Sequence, residues 1–267
     1  MFGRNAPVVV FKQPLVPPAE DDLDDPFQMQ RELRYGAPVC DQILTGRHFT
    51  IGYSWYFRQA KWTLEIINRD RELVNNMDDV DRLNNFRADT RIPKRFRAGL
   101  KAFRGSGFDR GHLVASANQD LQDIQNSETF LLSNMSPQNP SFNRGIWNRL
   151  ENEIRELDSR ESTLETYVLT CPAFYFGREV ELIGTEQEDY GISVPVPHAF
   201  IKSVLVENRR GRFRLWTFEI PNVGQTGELE SFLVKTYDVE QIVGGRFWDR
   251  ISREDLDRDK SRTRPMW

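Results

Sequence analysis

GSGFDRGH (105–112) and NMSPQNPSFNRGIWNRLENEIR (134–155) are the two stretches on which the fold of this chain turns. The first sets a histidine directly behind an arginine and a glycine. Arg110 is a permanently charged, planar cation suited to phosphate, and Gly111 lets the backbone come close to a ligand. Only three histidines occur in the chain, His48, His112 and His198. A lone histidine is more often structural than catalytic, and it is the neighbours of His112 that single it out. In the second stretch the spacing predicts a helix over 143–158, with Ile146, Leu150, Ile154 and Leu157 facing a core. Asn143, Trp147, Glu151 and Arg155 climb beside that apolar face in steps of four, drifting about 40° per step. An amide oxygen and a carboxylate on one strip suit a hard, hydrated cation such as Mg²⁺. The same residues also read as an Asn143 helix cap and a Glu151–Arg155 surface ion pair, and the helix taken alone favours that second reading.

Outward from these stretches, HFTIGYSWYF (48–57) and KWTLEIIN (61–68) are rich in aromatic and β-branched residues and read as paired strands. FLLSNMSP (130–137) reads as a short strand that breaks at a turn. TYVLTCPAF (166–174), AFIKSVLVEN (199–208) and FRLWTFEIP (213–221) are further strands. No internal repeat is visible. The pattern is α+β, one domain over 31–252 built on a central sheet. Residues 1–30, proline-containing and acidic, read as a flexible arm, and 253–267 as a loose, charged C-terminal tail.

The 267 residues are 39% hydrophobic, enough for a sizeable core. No run of about 18 apolar residues exists, which excludes a helical membrane span, and the N-terminus does not read as a secretory signal. Cys40 and Cys171 lie far apart without metal-ligand neighbours, which argues against a disulfide framework or zinc site and points to a reducing cytoplasm. The net charge of −4 is unevenly placed. Residues 87–110 hold eight Lys/Arg against two acids, while EDDLDD (20–25) holds five acids. Local sign matters more than the total for a phosphate-binding groove. Opposite blocks in one chain suggest an arm that folds over the basic segment, although a solubilising tail explains the acids more simply.

DRGH (109–112), followed by N…SPQ…N-R-G-x-W-x-x-L-E (134–151), resembles the DNA/RNA nonspecific endonucleases, and FRADTRIPKRFRAGLKAFRGSGFDRGH (86–112) is most similar to their endonuclease G branch. The resemblance runs from about Tyr35 to 245. It implies a ββα-metal (His-Me finger) fold with a mainly antiparallel sheet flanked by helices. It also implies magnesium-dependent, sequence-nonspecific hydrolysis of DNA and/or RNA to 5′-phosphate and 3′-hydroxyl ends, with Mn²⁺ able to substitute. By motif position, His112 matches the general base and Asn143 the direct metal ligand, with Glu151 acting through metal-bound water. Arg110, Arg91 and Arg155 match arginines at the scissile phosphate or supporting it. Asn134, Asp109 and Trp147 match supporting residues, and Lys94, Arg95, Arg97, Lys101 and Arg104 form a nucleic-acid-binding segment. Two departures stand out, VAS after DRGHL and Cys171 where glycine is commoner. Relatives are often dimers, and a nuclease inside a cell needs an inhibitor or an activating partner, as a regulated cell-killing or antiviral effector would. The competing class is a catalytically silent nucleic-acid-binding module.

Overall fold

A computed structural model describes residues 30–67, 80–184, 193–251 and 254–267. The acidic run 20–25 and all but the last residue of the expected arm lie outside them. The strands are β1 (Gln42–Thr45), β2 (Phe49–Ser54), β3 (Gln59–Ile66), β4 (Asp109–His112), β5 (Met135–Gln138), β6 (Thr163–Ala173), β7 (Leu182–Ile183), β8 (Val194–Pro195), β9 (Ala199–Asn208) and β10 (Phe213–Pro221). Six of them form one sheet in the order β1-β2-β3-β6-β9-β10, every pairing antiparallel. This is the α+β arrangement and antiparallel central sheet that the sequence predicts.

The long strands are apolar at successive positions because both faces of the sheet are covered. β9 is buried from Ala199 to Val206. Phe200, Val204 and Val206 join Leu150, Ile154 and Leu157 of the helix Asn148–Asp158 in one core. Ile201 and Leu205 join Tyr167, Phe247 and Trp248 in the other. Alternation along one strand therefore feeds two cores rather than a core and solvent.

β4 and β5 stand apart as a two-stranded ribbon, with Gly111 opposite Ser136 and His112 opposite Met135. Gly111 is required there: a Cβ would lie 2.0 Å from Cδ of Gln138. The helix that follows begins earlier than predicted. Asn139, not Asn143, is its cap, with Oδ1 accepting from the amides of Ser141 (3.0 Å) and Phe142 (3.3 Å) and Pro140 in the first position. A π turn spans Asn143–Trp147, with Gly145 at φ −104°, ψ −107°, before regular helix runs from Asn148 to Asp158. The two strands and this helix make a ββα unit laid on the sheet.

Three expectations need correction. The stretch 130–137 is a 3-10 turn over Leu132–Asn134, with strand only from Met135. The Asn134 side chain bonds the backbone of Val114 and Thr129, offering local partners in place of a strand ladder. Trp147 leaves the predicted strip because the π turn shifts the helical phase. It is 1% exposed and packs on Phe142 and Phe200. The C-terminal residues are not loose. A helix covers Glu254–Lys260, Trp216 Nε1 donates to the Pro265 carbonyl at 2.9 Å, and the Trp267 ring stands edge-on to Trp216. The terminal tryptophan anchors a segment whose composition is otherwise that of a solvated tail.

Candidate active site

Between β4 and the helix lies an open cleft of about 480 Å³, lined by Arg82, Phe86, Asp109, Arg110, His112, Asn143, Glu151 and Arg155 among others. Asp109 fixes the orientation of Asn143. Its Oδ2 accepts from Asn143 Nδ2 at 3.0 Å and from Arg144 Nε at 2.9 Å, while Oδ1 takes Arg144 at 2.7 Å. A carboxylate only accepts, so the amide nitrogen must face Asp109 and the amide oxygen is left for the cleft. That oxygen together with the Glu151 carboxylate is a sparse, hard donor set of the kind a hydrated Mg²⁺ takes. Among the described residues there is no cluster of three or more His, Cys, Asp or Glu side chains suited to a metal.

His112 sits in an aromatic box. Its ring stands edge-on to Phe130 at 4.9 Å and tilted against Phe86 at 5.8 Å. The Arg110 guanidinium lies 4.1 Å over Phe86, and that of Arg82 lies 5.2 Å over Phe130. Burial, reinforced by repulsion from Arg82 and Arg110, pushes the imidazole pKa down to about 3. The ring is therefore neutral through the physiological range. Its Nε2 is buried without a hydrogen-bond partner.

Glu151 leans inward on a charged pair that comes from the sheet. Lys202 of β9, 1% exposed, places Nζ 3.8 Å from Glu151 Oε1, 3.1 Å from Thr170 Oγ1 and 4.4 Å from the centre of the Trp147 ring. Behind it is Glu65 of β3, whose two carboxylate oxygens accept from Asn118 (3.1 Å) and Gln119 (3.3 Å). Burial pushes the Glu65 carboxyl up to about 7, against the pull of Lys202. Burial likewise raises Glu151, opposed by Lys202, Arg155 and Arg82. Arg155 donates to Asn118 at 2.8 Å and also bonds Asn152. It belongs to this network and not to a surface pair with Glu151.

Of the residues singled out in the sequence, His112, Arg110, Asp109, Asn143, Glu151 and Arg155 come together at the cleft. Asn134 braces it from beneath, with its side chain in the backbone of Val114 and Thr129. Arg91 does not line the cleft. Its guanidinium is held by Asp89 (2.7 and 2.9 Å) and the Thr45 carbonyl (2.6 Å), because the acid two residues upstream is the nearest counter-charge. Lys94, Arg95, Arg97, Lys101 and Arg104 also lie outside the cleft lining, on the segment carrying the turns Lys94–Phe96 and Leu100–Phe103. Arg82, Glu65, Asn118 and Lys202 were not foreseen. A visible signal existed for two of them: Glu65 and Lys202 are single charges inside apolar strand runs, which chains rarely bury without a partner. Of the other histidines, His198 accepts at Nδ1 from the Tyr175 amide and meets the Glu179 carbonyl through Nε2, a structural role. Cys171 is buried and its thiol is pushed up by burial, an inert position.

Residues 31–254 match the family model for DNA/RNA non-specific endonuclease. The chain is 34% identical over 225 residues to mitochondrial endonuclease G of Homo sapiens, covering 82% of this chain and 73% of that protein. It is 30% identical over 243 residues to the mitochondrial endonuclease G of Caenorhabditis elegans, covering 88% and 77%. Nuclease C1 of Cunninghamella echinulata var. echinulata is 33% identical over 227 residues, covering 82% and 88%. A solved EndoG chain, from an EndoG/EndoGI complex that concerns EndoG inhibition, superposes with a TM-score of 0.74 at 28% identity, covering 89% of this chain and 94% of that one. The fold is the ββα-metal fold of that relative. The cytoplasmic expectation is corrected by the same comparison: the endonuclease G relatives, including that of Bos taurus, are mitochondrial proteins and point to mitochondria. Unpaired cysteines report the state of two thiols and do not distinguish one compartment from another.

Proposed function

The chain belongs to the DNA/RNA non-specific endonuclease family and is a nuclease hydrolysing DNA or RNA, and from that premise we propose a magnesium-dependent cleavage with His112 as general base, leaving 5′-phosphate and 3′-hydroxyl ends. The observation that carries this reading is the orientation of Asn143, whose amide nitrogen is committed to Asp109 so that its oxygen serves the cleft. Asn143 Oδ1 would hold Mg²⁺, or Mn²⁺ in its place, with Glu151 acting through a bound water. The bound cation supplies Lewis-acid stabilisation of charge on the phosphate.

The remaining work falls to side chains of this protein. His112, which lines the cleft, would take the proton of an attacking water. Arg110 and Arg82 flank it and offer fixed positive charge to the phosphate oxygens. Stacking on Phe86 and Phe130 holds those guanidiniums without neutralising them. The segment Lys94–Arg104, outside the cleft, would meet flanking phosphates and not the scissile one. Restraint by an inhibitor, of the kind a regulated cell-killing or antiviral effector needs, belongs to the same reading, since the structural relative was solved in a complex that concerns its inhibition.

The test is a plasmid digestion titrated with Mg²⁺, for the wild type and Asn143→Ala. EDTA abolishes cleavage, and the variant needs at least about tenfold more metal, in line with what loss of a metal-site contact costs. A metal curve unchanged by the substitution would remove Asn143 from the site.

A further inference from the structure

The turn between β9 and β10 carries NRRGRFR (208–214), and around it lies a second open depression of about 650 Å³. It is lined by Arg209, Arg210, Arg212, Arg214 and Arg264 against the single carboxylate of Glu161. The first four arginines are exposed. Among the described residues the Arg210, Arg212 and Arg214 guanidiniums make no ion pair or hydrogen bond, whereas Arg264 is paired with Asp259 and Arg209 Nε donates to the Glu161 carbonyl. The turn beneath them is rigid. Asn208 Oδ1 accepts from the amides of Arg210 (2.9 Å) and Arg212 (3.0 Å), and Gly211 supplies the positive φ of 67° that closes the turn. Like charges held together on a fixed platform repel one another, so the cluster weakens the fold locally. In a chain of net charge −4 it is also a local reversal of sign.

Its position relates it to the cleft. Arg214 pairs in register with Val206 of β9, and Lys202, beneath Glu151, is four residues back along the same strand. Lys202 and Val206 point to the same sheet face. Arg214 shares that face, being two residues before Trp216 of the same core, and Arg264 lies 5.6 Å over the Trp216 ring. Four residues of strand span about 14 Å, and the turn extends the patch further, to about 20 Å. Each nucleic-acid strand of a duplex carries one phosphate per about 3.4 Å of axis, so that span corresponds to about four to six nucleotides. Arginine forks fit phosphate. Among the described residues, Phe213 is the one aromatic lining the depression, and Tyr35 engages it edge-on, which leaves no free apolar anchor among them of the kind a protein interface is built around.

We propose that the Arg210–Arg212–Arg214 turn is a second contact for the phosphate backbone, holding nucleic acid about four to six nucleotides from the bond that is cut. This rests on the nuclease function proposed above and adds a remote binding surface to it. Short substrates end before the turn, and long ones reach it.

The experiment compares the wild type with the triple variant R210E/R212E/R214E on a 30-base-pair duplex and on a tetranucleotide. Affinity is read by fluorescence anisotropy in EDTA over a salt series, and cleavage rate is read in Mg²⁺. On the long duplex the variant should bind at least about tenfold more weakly near 0.1 M salt. The slope of log K against log salt should flatten by about 2–3, at about 0.9 per lost phosphate contact. Tetranucleotide cleavage should stay within about twofold of wild type. Unchanged affinity and slope on the duplex would overturn the proposal, as would equal losses on both substrates, which would place the damage in the cleft. Unchanged duplex affinity with lost capture by an inhibitor protein would overturn it in favour of a protein-binding surface. A wild-type protein that cleaves neither substrate would instead sink the proposed function.

Discussion

The six-stranded sheet and the ββα unit beside it are held together in opposite ways. The sheet is long, regular and redundant: β6, β9 and β10 pair through nine or more consecutive positions with apolar side chains on both faces. The ββα unit is short and irregular, two four-residue strands joined to a helix through a π turn. Its helix is packed into the core through Leu150, Ile154 and Leu157, but the geometry at its surface rests on single polar contacts, such as Asp109 to Asn143 and Asn134 to Val114. Many small contacts tolerate a lost member, whereas one oriented hydrogen bond has no substitute. The difference places function where geometry depends on few atoms, with stability supplied from next door. Lys202 joins the two regions, since it grows from the regular sheet and ends against Glu151.

Removing the base proposed for the irregular region should produce the largest effect. His112→Ala is expected to lower the cleavage rate by about 10²–10⁴-fold while the thermal unfolding midpoint barely moves. A variant keeping more than a tenth of wild-type activity would place the base elsewhere.

Next comes the joint between the regions. Lys202→Met leaves Glu151 and Glu65 buried without the cation between them, and breaking such a group by removing one partner costs about 3–5 kcal/mol. Leu205→Ala, on the opposite face of the same strand, should cost a comparable 2–5 kcal/mol or so through a cavity. The two should separate on activity. Per folded molecule, measured well below each midpoint, Lys202→Met loses activity because Glu151 is no longer held, and Leu205→Ala does not. Equal specific activities for the two variants would show that the sheet supports the site only as a passive wall.

The smallest effect concerns pH. The His112 pKa is pushed down to about 3 in the folded protein, against about 6.5 unfolded. Between those values the unfolded chain binds the extra proton, so the group removes stability as pH falls from about 6.5 towards 3. Unfolding free energies from denaturant titration of His112→Ala should therefore decline less steeply than wild type over that window, by at most about 1.4 kcal/mol per pH unit. Parallel curves would mean that the ring is well solvated in the native state.

Legibility from sequence followed the same division. Alternating and continuous apolar runs located β2, β3, β6, β9 and β10 to within a few residues, because burial on two faces writes itself into every position of a long strand. The helix after β5 is legible in the sequence, but its start at Pro140 lies three residues before the predicted one. The Asn139-Pro140 start was in plain view, whereas the π turn is a departure from regular spacing that periodicity cannot show. DRGH with the spaced Asn and Glu led to six residues that share the cleft, since a local motif carries its own geometry. Arg91 lies outside the cleft lining for the converse reason. Several arginines crowd that segment, and which of them reaches the cleft depends on where Asp89 captures a guanidinium.

By itself, the sequence determined the α+β class and the family, and it singled out His112, Asn143 and Glu151 as candidates, all from adjacent or regularly spaced residues. Only the tertiary structure decided that Asp109 turns the Asn143 amide, that Phe86 and Phe130 box the histidine between Arg82 and Arg110, and that Lys202 and Glu65 stand behind Glu151. It also decided that five arginines distant in sequence from the motif line one depression beside the β9–β10 turn. Those arrangements bring together residues separated by tens of positions, and electrostatic interaction depends on distance and burial in space, neither of which is written in linear order.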